Sequence, residues 1–156
     1  MSKHYLRSNI LITKPILLWD MDGVLCDFDK RVLELEAQGI KGHKLFSHTS
    51  AYKDLEPIEG AIEAWNTLQD KFENYILSTP PWSNPEAWAE KRKWVDQYLG
   101  KTAHKKLILS HNKGLIHGNY LIDDRIANGV GDFKGEHIHI FTPTFPDWNS
   151  VLKYLK

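Results

Sequence analysis

Pro15-Ile16-Leu17-Leu18-Trp19-Asp20-Met21-Asp22-Gly23-Val24 starts as an apolar run and stops at a pair of carboxylates. A short run without alternation reads as an interior strand, buried on both faces. Asp20 and Asp22 then fall at its carboxyl end, where Gly23 gives the backbone freedom for a sharp exit. Two acids in such a place are costly unless something cationic is held between them. In an open α/β sheet that edge is also where ligands bind. The spacing makes Asp20 a candidate metal ligand and nucleophile, with Asp22 reaching over the same site as an acid or base. This is a signature of phosphoryl transfer.

Working outward, four more apolar runs follow: Tyr75 to Thr79, Lys106 to Ser110, Tyr120 to Asp123, and His137 to Phe141. Segments of helical character separate them. Ile62, Trp65, Leu68 and Phe72 form one stripe over Ala61 to Phe72. Pro85 opens a second helix, capped by Asn84, with Trp88, Arg92, Val95 and Leu99 as its stripe and Gly100 as its stop. A last helix spans Trp148 to Leu155, after turns at Pro143 and Pro146. Strands alternating with helices predict an α/β fold with a mostly parallel sheet covered on both faces. The stretch from Phe28 to Glu56 breaks the alternation: one amphipathic helix, about Lys30 to Gln38, precedes a Gly- and His-rich segment. It reads as an insertion at the ligand edge, placed to act as a lid, or as a long crossover without a gating role.

The 156 residues suit one domain, 1–156, large enough to bury about 70% of its unfolded surface. Twenty basic residues balance twenty acidic ones, which argues against a protein held on nucleic-acid polymers or anionic membranes by bulk charge. The short basic runs Lys91-Arg92-Lys93 and Lys105-Lys106 read as solvated faces. The single cysteine, Cys26, excludes an intrachain disulfide, fits a reducing compartment and reads as a small buried hydrophobe. No segment has the length of a membrane span and the polar N-terminus is no signal peptide, so the expected location is cytoplasmic. Lys3 to Lys14 carries no motif and reads as an extended arm.

The ends of the runs carry the chemistry. The first delivers Asp20 and Asp22, the second Ser78-Thr79-Pro80, the third leads to Lys113, and the fourth ends in Asp123-Asp124-Arg125. An isolated pair of acids is common, and a Ser-Thr pair after a strand is usually a turn. In this order, each after an apolar run, they make a strong signal. The set resembles the haloacid dehalogenase (HAD) superfamily of phosphatases, whose four motifs follow one another in this way. Asp-Met-Asp-Gly-Val-Leu-Cys-Asp-Phe (20–28), Leu-Glu-Pro-Ile-Glu-Gly-Ala (55–61), Ser-Thr-Pro (78–80), Lys93-Trp94-Val95 and Leu-Ile-Asp-Asp-Arg (121–125) are similar to the 5′(3′)-deoxyribonucleotidase family. The likeness runs from about residue 15 to 152 and is weakest between Lys30 and Ala51.

The resemblance implies a Rossmann-like HAD core, a parallel five-stranded sheet with strand one central, and a small helical cap, 28–56, inserted after it. It implies a Mg²⁺-dependent phosphatase of (deoxy)nucleoside monophosphates. Asp20 would attack phosphorus and form an aspartyl-phosphate, and Asp22 would serve as acid and then base. Asp20, the Asp22 carbonyl and Asp123 would ligate Mg²⁺, with Asp124 orienting a metal-bound water or Lys113. Ser78 and Thr79 would hold phosphate oxygens, and Lys113 would offset charge on phosphate and nucleophile. Phe28 and Tyr52 would stack on the base, or else seal the lid onto the sheet; Arg125 would reach substrate, pair with the cap or form a surface ion pair. The implied partner is a small nucleotide rather than a polymer, and the implied assembly a homodimer. The cap is shorter than in mammalian-type members, which leaves the base and sugar preference open.

Three other functions remain open at this point. The same fold can serve another small phosphate ester or a nucleic-acid 3′-phosphate, and a catalytically silent nucleotide-binding module would share the outline. The complete motif set, Asp22 above all, counts against the silent module. Eight histidines, among them His43, His48, His137 and His139, match no zinc spacing.

Overall fold

The computed structural model describes residues 13–156; the arm expected over Lys3 to Lys14 lies, up to position 12, outside them. Five parallel strands, β1 (Ile16–Trp19), β2 (Glu73–Ser78), β3 (Leu107–Leu109), β4 (Tyr120–Asp123) and β5 (Glu136–His139), form one sheet in the order β3-β2-β1-β4-β5. The five apolar runs are these strands, and β1 is central. Trp19 pairs with Ile76 on one side and Ile122 on the other. One step further along, Asp20 stands level with Asp123, which is why two acids far apart in sequence meet at one edge.

Side chains alternate across the sheet. Leu17 and Trp19 face one side with Ile76, Ile122 and Ile138, while Leu18, Leu77 and Leu121 face the other. On the first side pack α3 (Ala61–Thr67), α4 (Pro85–Tyr98) and α5 (Trp148–Leu155), through Trp65, Trp94, Val95, Trp148 and Val151. Trp19 is sandwiched there, its ring centroid 5.2 Å from both Trp65 and Trp148. Its indole N–H donates to the buried Asn74 Oδ1 at 2.7 Å. Among the described residues, the second side is covered instead by Val130, Phe133 and half-buried Ile116, from short 3₁₀ turns and loops. Both faces are covered, as expected, but α3, α4 and α5 all pack on one of them.

The helix expected over Ala61 to Phe72 stops at Thr67. Leu68 and Phe72 are buried all the same, because Asn74 Nδ2 donates to both their carbonyls (3.1 Å each) and turns the chain into β2. α4 begins where expected, with Asn84 Oδ1 accepting from Ala87 N–H. Its buried stripe is Ala87, Lys91, Trp94 and Val95, not the expected Trp88-Arg92-Val95-Leu99 line. Arg92 is exposed and Lys91 is not, so the reading of Lys91-Arg92-Lys93 as one solvated face fails at its first residue. The insertion between β1 and α3 holds α1 (Phe28–Ala37) and a single helical turn, α2 (His43–Ser47).

Candidate active site

Asp20 follows β1 directly, and its amide donates to the Ile122 carbonyl at 2.8 Å, so the sheet continues just far enough to fix it. The chain then coils back on itself: the amides of Val24, Leu25 and Cys26 all donate to the Met21 carbonyl. Gly23 adopts φ +78°, and a Cβ there would lie 2.4 Å from Asp124 Oδ2. Glycine at this position is thus required twice, by the turn and by the carboxylate packed against it.

Lys113 opens a 3₁₀ turn (Lys113–Leu115) and is 2% exposed. Its ammonium bridges Asp20 Oδ1 at 2.8 Å and Asp123 Oδ2 at 2.7 Å. Burial works to lower the Lys113 pKa, but Asp20 and Asp123 outweigh it and hold the lysine charged. The other Asp123 oxygen accepts from the Arg125 amide at 3.0 Å, so both are engaged. Asp124 differs: its Oδ1 is buried with no hydrogen-bond partner. Burial, with Asp20 and Asp123 nearby, pushes the Asp124 carboxyl up to about 7. Burial also raises Asp20, against the pull of Lys113. From behind, His137 and His139 stack at 4.8 Å and place their Nε2 atoms 3.0 and 2.9 Å from the Asp123 and Asp124 carbonyls.

Asp20, Asp123 and Asp124 offer carboxylate oxygens all within 4.8 Å of one another. Around the site stand four acids, with Asp22, against two buried lysines, Lys91 and Lys113. The acids still outnumber the cations once Arg125 is counted, and this surplus and the orphaned Asp124 oxygen both fit a divalent cation with hard oxygen ligands.

A small polar cavity is lined by Asp20, Asp22, Thr79, Lys113, Asp123 and Arg125. Thr79 donates its hydroxyl to the Ser110 carbonyl at 2.7 Å, while Ser78, at the end of β2, is buried. A second cavity of about 170 Å³ adjoins it, bounded by Phe28, Val32 and Phe46 and sharing Asp22 and Arg125 with the first. Tyr52 is buried and lies against Phe28, rings nearly parallel and centroids 4.8 Å apart. It backs Phe28 and leaves no space for a base between the two. Phe46, half exposed, is the ring on the open side, 6.0 Å from Phe28.

Comparison with known proteins gives this arrangement its family. The family model described as 5′ nucleotidase, deoxy (pyrimidine), cytosolic type C matches residues 36–150. A provisionally named 5′(3′)-deoxyribonucleotidase of Vibrio phage KVP40 is 49% identical, over 91% of this chain and 85% of its own. The chain belongs to the 5′(3′)-deoxyribonucleotidase family. The 5′(3′)-deoxyribonucleotidase of Bacillus subtilis is 29% identical, covering 91% of this chain and 94% of that protein. A crystal structure of the provisionally assigned HAD-hydrolase YfnB of B. subtilis, bound to magnesium, overlays with a TM-score of 0.60 at 14% identity, over 92% of this chain and 99% of that one. That likeness speaks for the fold alone. As a member of the 5′(3′)-deoxyribonucleotidase family the chain is a phosphoric monoester hydrolase, a nucleotide phosphatase. No helix among the described residues is long and apolar enough to cross a membrane.

The structure brings Asp20, Asp22, Thr79, Lys113, Asp123, Asp124 and Arg125 together at one edge. Three residues escaped the sequence. Lys91 is 2% exposed and binds Asp22 Oδ2 at 2.7 Å; its place in the i, i+4, i+7 line with Ala87 and Trp94 was the available signal. Phe46 sits in the Gly- and His-rich stretch, where a single helical turn leaves no periodicity to read. Asn84 was read as a helix cap, but its Nδ2 also donates to the Phe46 and His48 carbonyls at 2.9 and 3.2 Å, tying the insertion to the start of α4.

Proposed function

We propose that this protein is a Mg²⁺-dependent phosphatase of (deoxy)nucleoside monophosphates that works through an aspartyl-phosphate, an acyl phosphate of Asp20. The observation that carries the reading is Lys113 bridging Asp20 and Asp123 beside the unpartnered Asp124 oxygen. A phosphate placed in the polar cavity meets Asp20, Thr79 and Lys113 together. Asp20 displaces the ester oxygen from phosphorus, Asp22 gives that oxygen its proton, and nucleoside leaves. Asp22 then takes a proton from the water that attacks the phosphorylated Asp20, freeing phosphate. Lys113 spreads its charge over Asp20 and the transferred oxygens. Ser78, buried at the end of β2 and not among the residues that line the cavity, holds the neighbouring Thr79 in place instead of meeting phosphate itself.

The residues that fit the metal are Asp20, the Asp22 carbonyl and Asp124. This moves the ligand from Asp123, whose oxygens are taken by Lys113 and Arg125 N–H, to the neighbour with an oxygen to spare. When bound, Mg²⁺ supplies Lewis acidity and neutralises charge on the phosphoryl group. Asp123 keeps Lys113 in place.

The insertion 28–56 acts as a cap, and the cavity under it takes the base. Phe28, buttressed by Tyr52, offers one ring and Phe46 the other, while Arg125 stands where the two cavities meet.

The deciding experiment measures phosphate release from ribo- and deoxyribonucleoside 5′- and 3′-monophosphates, with and without Mg²⁺, in wild type and Asp20→Asn. Mg²⁺-dependent turnover lost in the variant, with an unchanged circular dichroism spectrum, is expected. Turnover by the variant would remove Asp20 as nucleophile.

A further inference from the structure

Only two lysines are buried among the described residues. Lys113 serves Asp20 and Asp123; Lys91 serves Asp22 alone, its Nζ 2.7 Å from Oδ2. Lys91 reaches this position from the second turn of α4, a helix fixed at its start by Asn84. On the way its ammonium passes 5.0 Å from the centre of the Tyr52 ring, which is itself locked against Phe28. It lines neither the polar cavity nor the aromatic one, whereas Asp22 lines both. The other Asp22 oxygen, Oδ1, has only the Cys26 thiol at 3.3 Å, a weak donor that gives way easily.

A buried ion pair is a poor device for stability, since apolar side chains of similar volume often do as well. Its placement against the one acid that stands between phosphate and leaving group calls for another account. We propose that Lys91 is the positioning residue of Asp22: it anchors Oδ2 and so presents Oδ1 to the ester oxygen. This rests on the phosphatase reading above and adds a residue to it.

The balance is simple. As the bond from Asp20 to phosphorus forms and the bond to the leaving oxygen breaks, the proton on Asp22 Oδ1 passes to that oxygen. In the second half-reaction Oδ1 recovers a proton from the attacking water. Lys91 neither gives nor takes a proton; it acts only through where it holds Asp22.

The test separates aim from fold by the leaving group. A nucleoside oxygen needs a proton in order to leave, and a 4-nitrophenolate does not. Lys91→Met is expected to lower kcat/KM, which reports the departure of the leaving group and not the shared hydrolysis of phosphorylated Asp20, about 10²-fold on the best nucleoside monophosphate, the scale of general acid catalysis. On 4-nitrophenyl phosphate it is expected to cost no more than a few-fold. Equal losses on both esters, or none on the nucleotide, overturn the inference and leave the phosphatase reading intact. Wild-type protein that cleaves neither ester with Mg²⁺ overturns both. Should Lys91→Met fail to fold, the double variant Asp22→Asn/Lys91→Met carries no unpaired buried charge. It is expected to turn over the nucleotide no more slowly than Asp22→Asn alone; a further tenfold loss overturns the inference.

Discussion

Adjacent carboxylates can have opposite duties, and Asp123 and Asp124 show what separates them. Asp123 points into a lysine and a backbone amide; Asp124 is pressed against Gly23 with one oxygen left over. Sequence shows only two acids in a row, and the partners that divide them, Lys113 and the Arg125 amide, are contacts made by folding. The Asp124 carboxyl is raised by burial from the ordinary 3.8 to about 7. A raised acid stabilises the metal-free fold fully below its ordinary value, and that contribution is lost as pH climbs through about 7. A metal held by Asp124 as proposed would need the carboxylate, so protons would compete with it over the same window. Calorimetric Mg²⁺ titrations across pH 7 are therefore expected to show affinity rising with pH and proton release on binding. In Asp124→Asn both should weaken together with the affinity, leaving the part that belongs to Asp20, whose carboxyl burial also raises. A pH-independent wild-type affinity would remove Asp124 from the ligand set.

The insertion works through three side chains that belong to different elements: Phe28 at the start of α1, Phe46 in α2 and Asn84 at the start of α4. Its existence and its place at the ligand edge were legible, because the strand-helix rhythm breaks there. Its contacts were not: α2 is too short to carry a period, and the second use of Asn84 is a tertiary hydrogen bond pair. Base stacking on an aromatic ring is worth about 1–3 kcal/mol. Phe46→Ala is expected to raise KM for nucleoside monophosphates about tenfold, within that range, and to leave KM for glycerol phosphate unchanged. A parallel rise for both would mean that Phe46 shapes the cap rather than holding the base.

For the molecule as a whole, the five strands and the convergence of four motifs at one edge could be read from the chain, and the central place of β1 from the family resemblance; the full order β3-β2-β1-β4-β5 could not. Nor could one read how unequally the two faces are clothed. An apolar run such as Leu17-Leu18-Trp19 says that both faces are buried and is silent about what buries them. Here the tryptophan-rich layer of α3, α4 and α5 bears the load behind Asp20. Trp65, fully buried against Trp19 and hydrogen-bonded to Thr102 at 2.8 Å, is its centre. Trp65→Ala is expected to cost about 3–5 kcal/mol in urea denaturation. A loss below about 1 kcal/mol, the scale of a single exposed contact, would show that the layer is held elsewhere.

Asn84 has a consequence for exchange of the insertion. An insertion between two strands can in general be lengthened or replaced without touching the sheet. In this chain that freedom is curtailed: one amide both starts the helix that carries Lys91 and grips the backbone of the insertion. A foreign cap grafted between β1 and α3 would leave those two N–H donors unanswered at a buried position. The insertion and the start of α4 are therefore coupled in this chain, and exchanging one alone is expected to cost both hydrogen bonds.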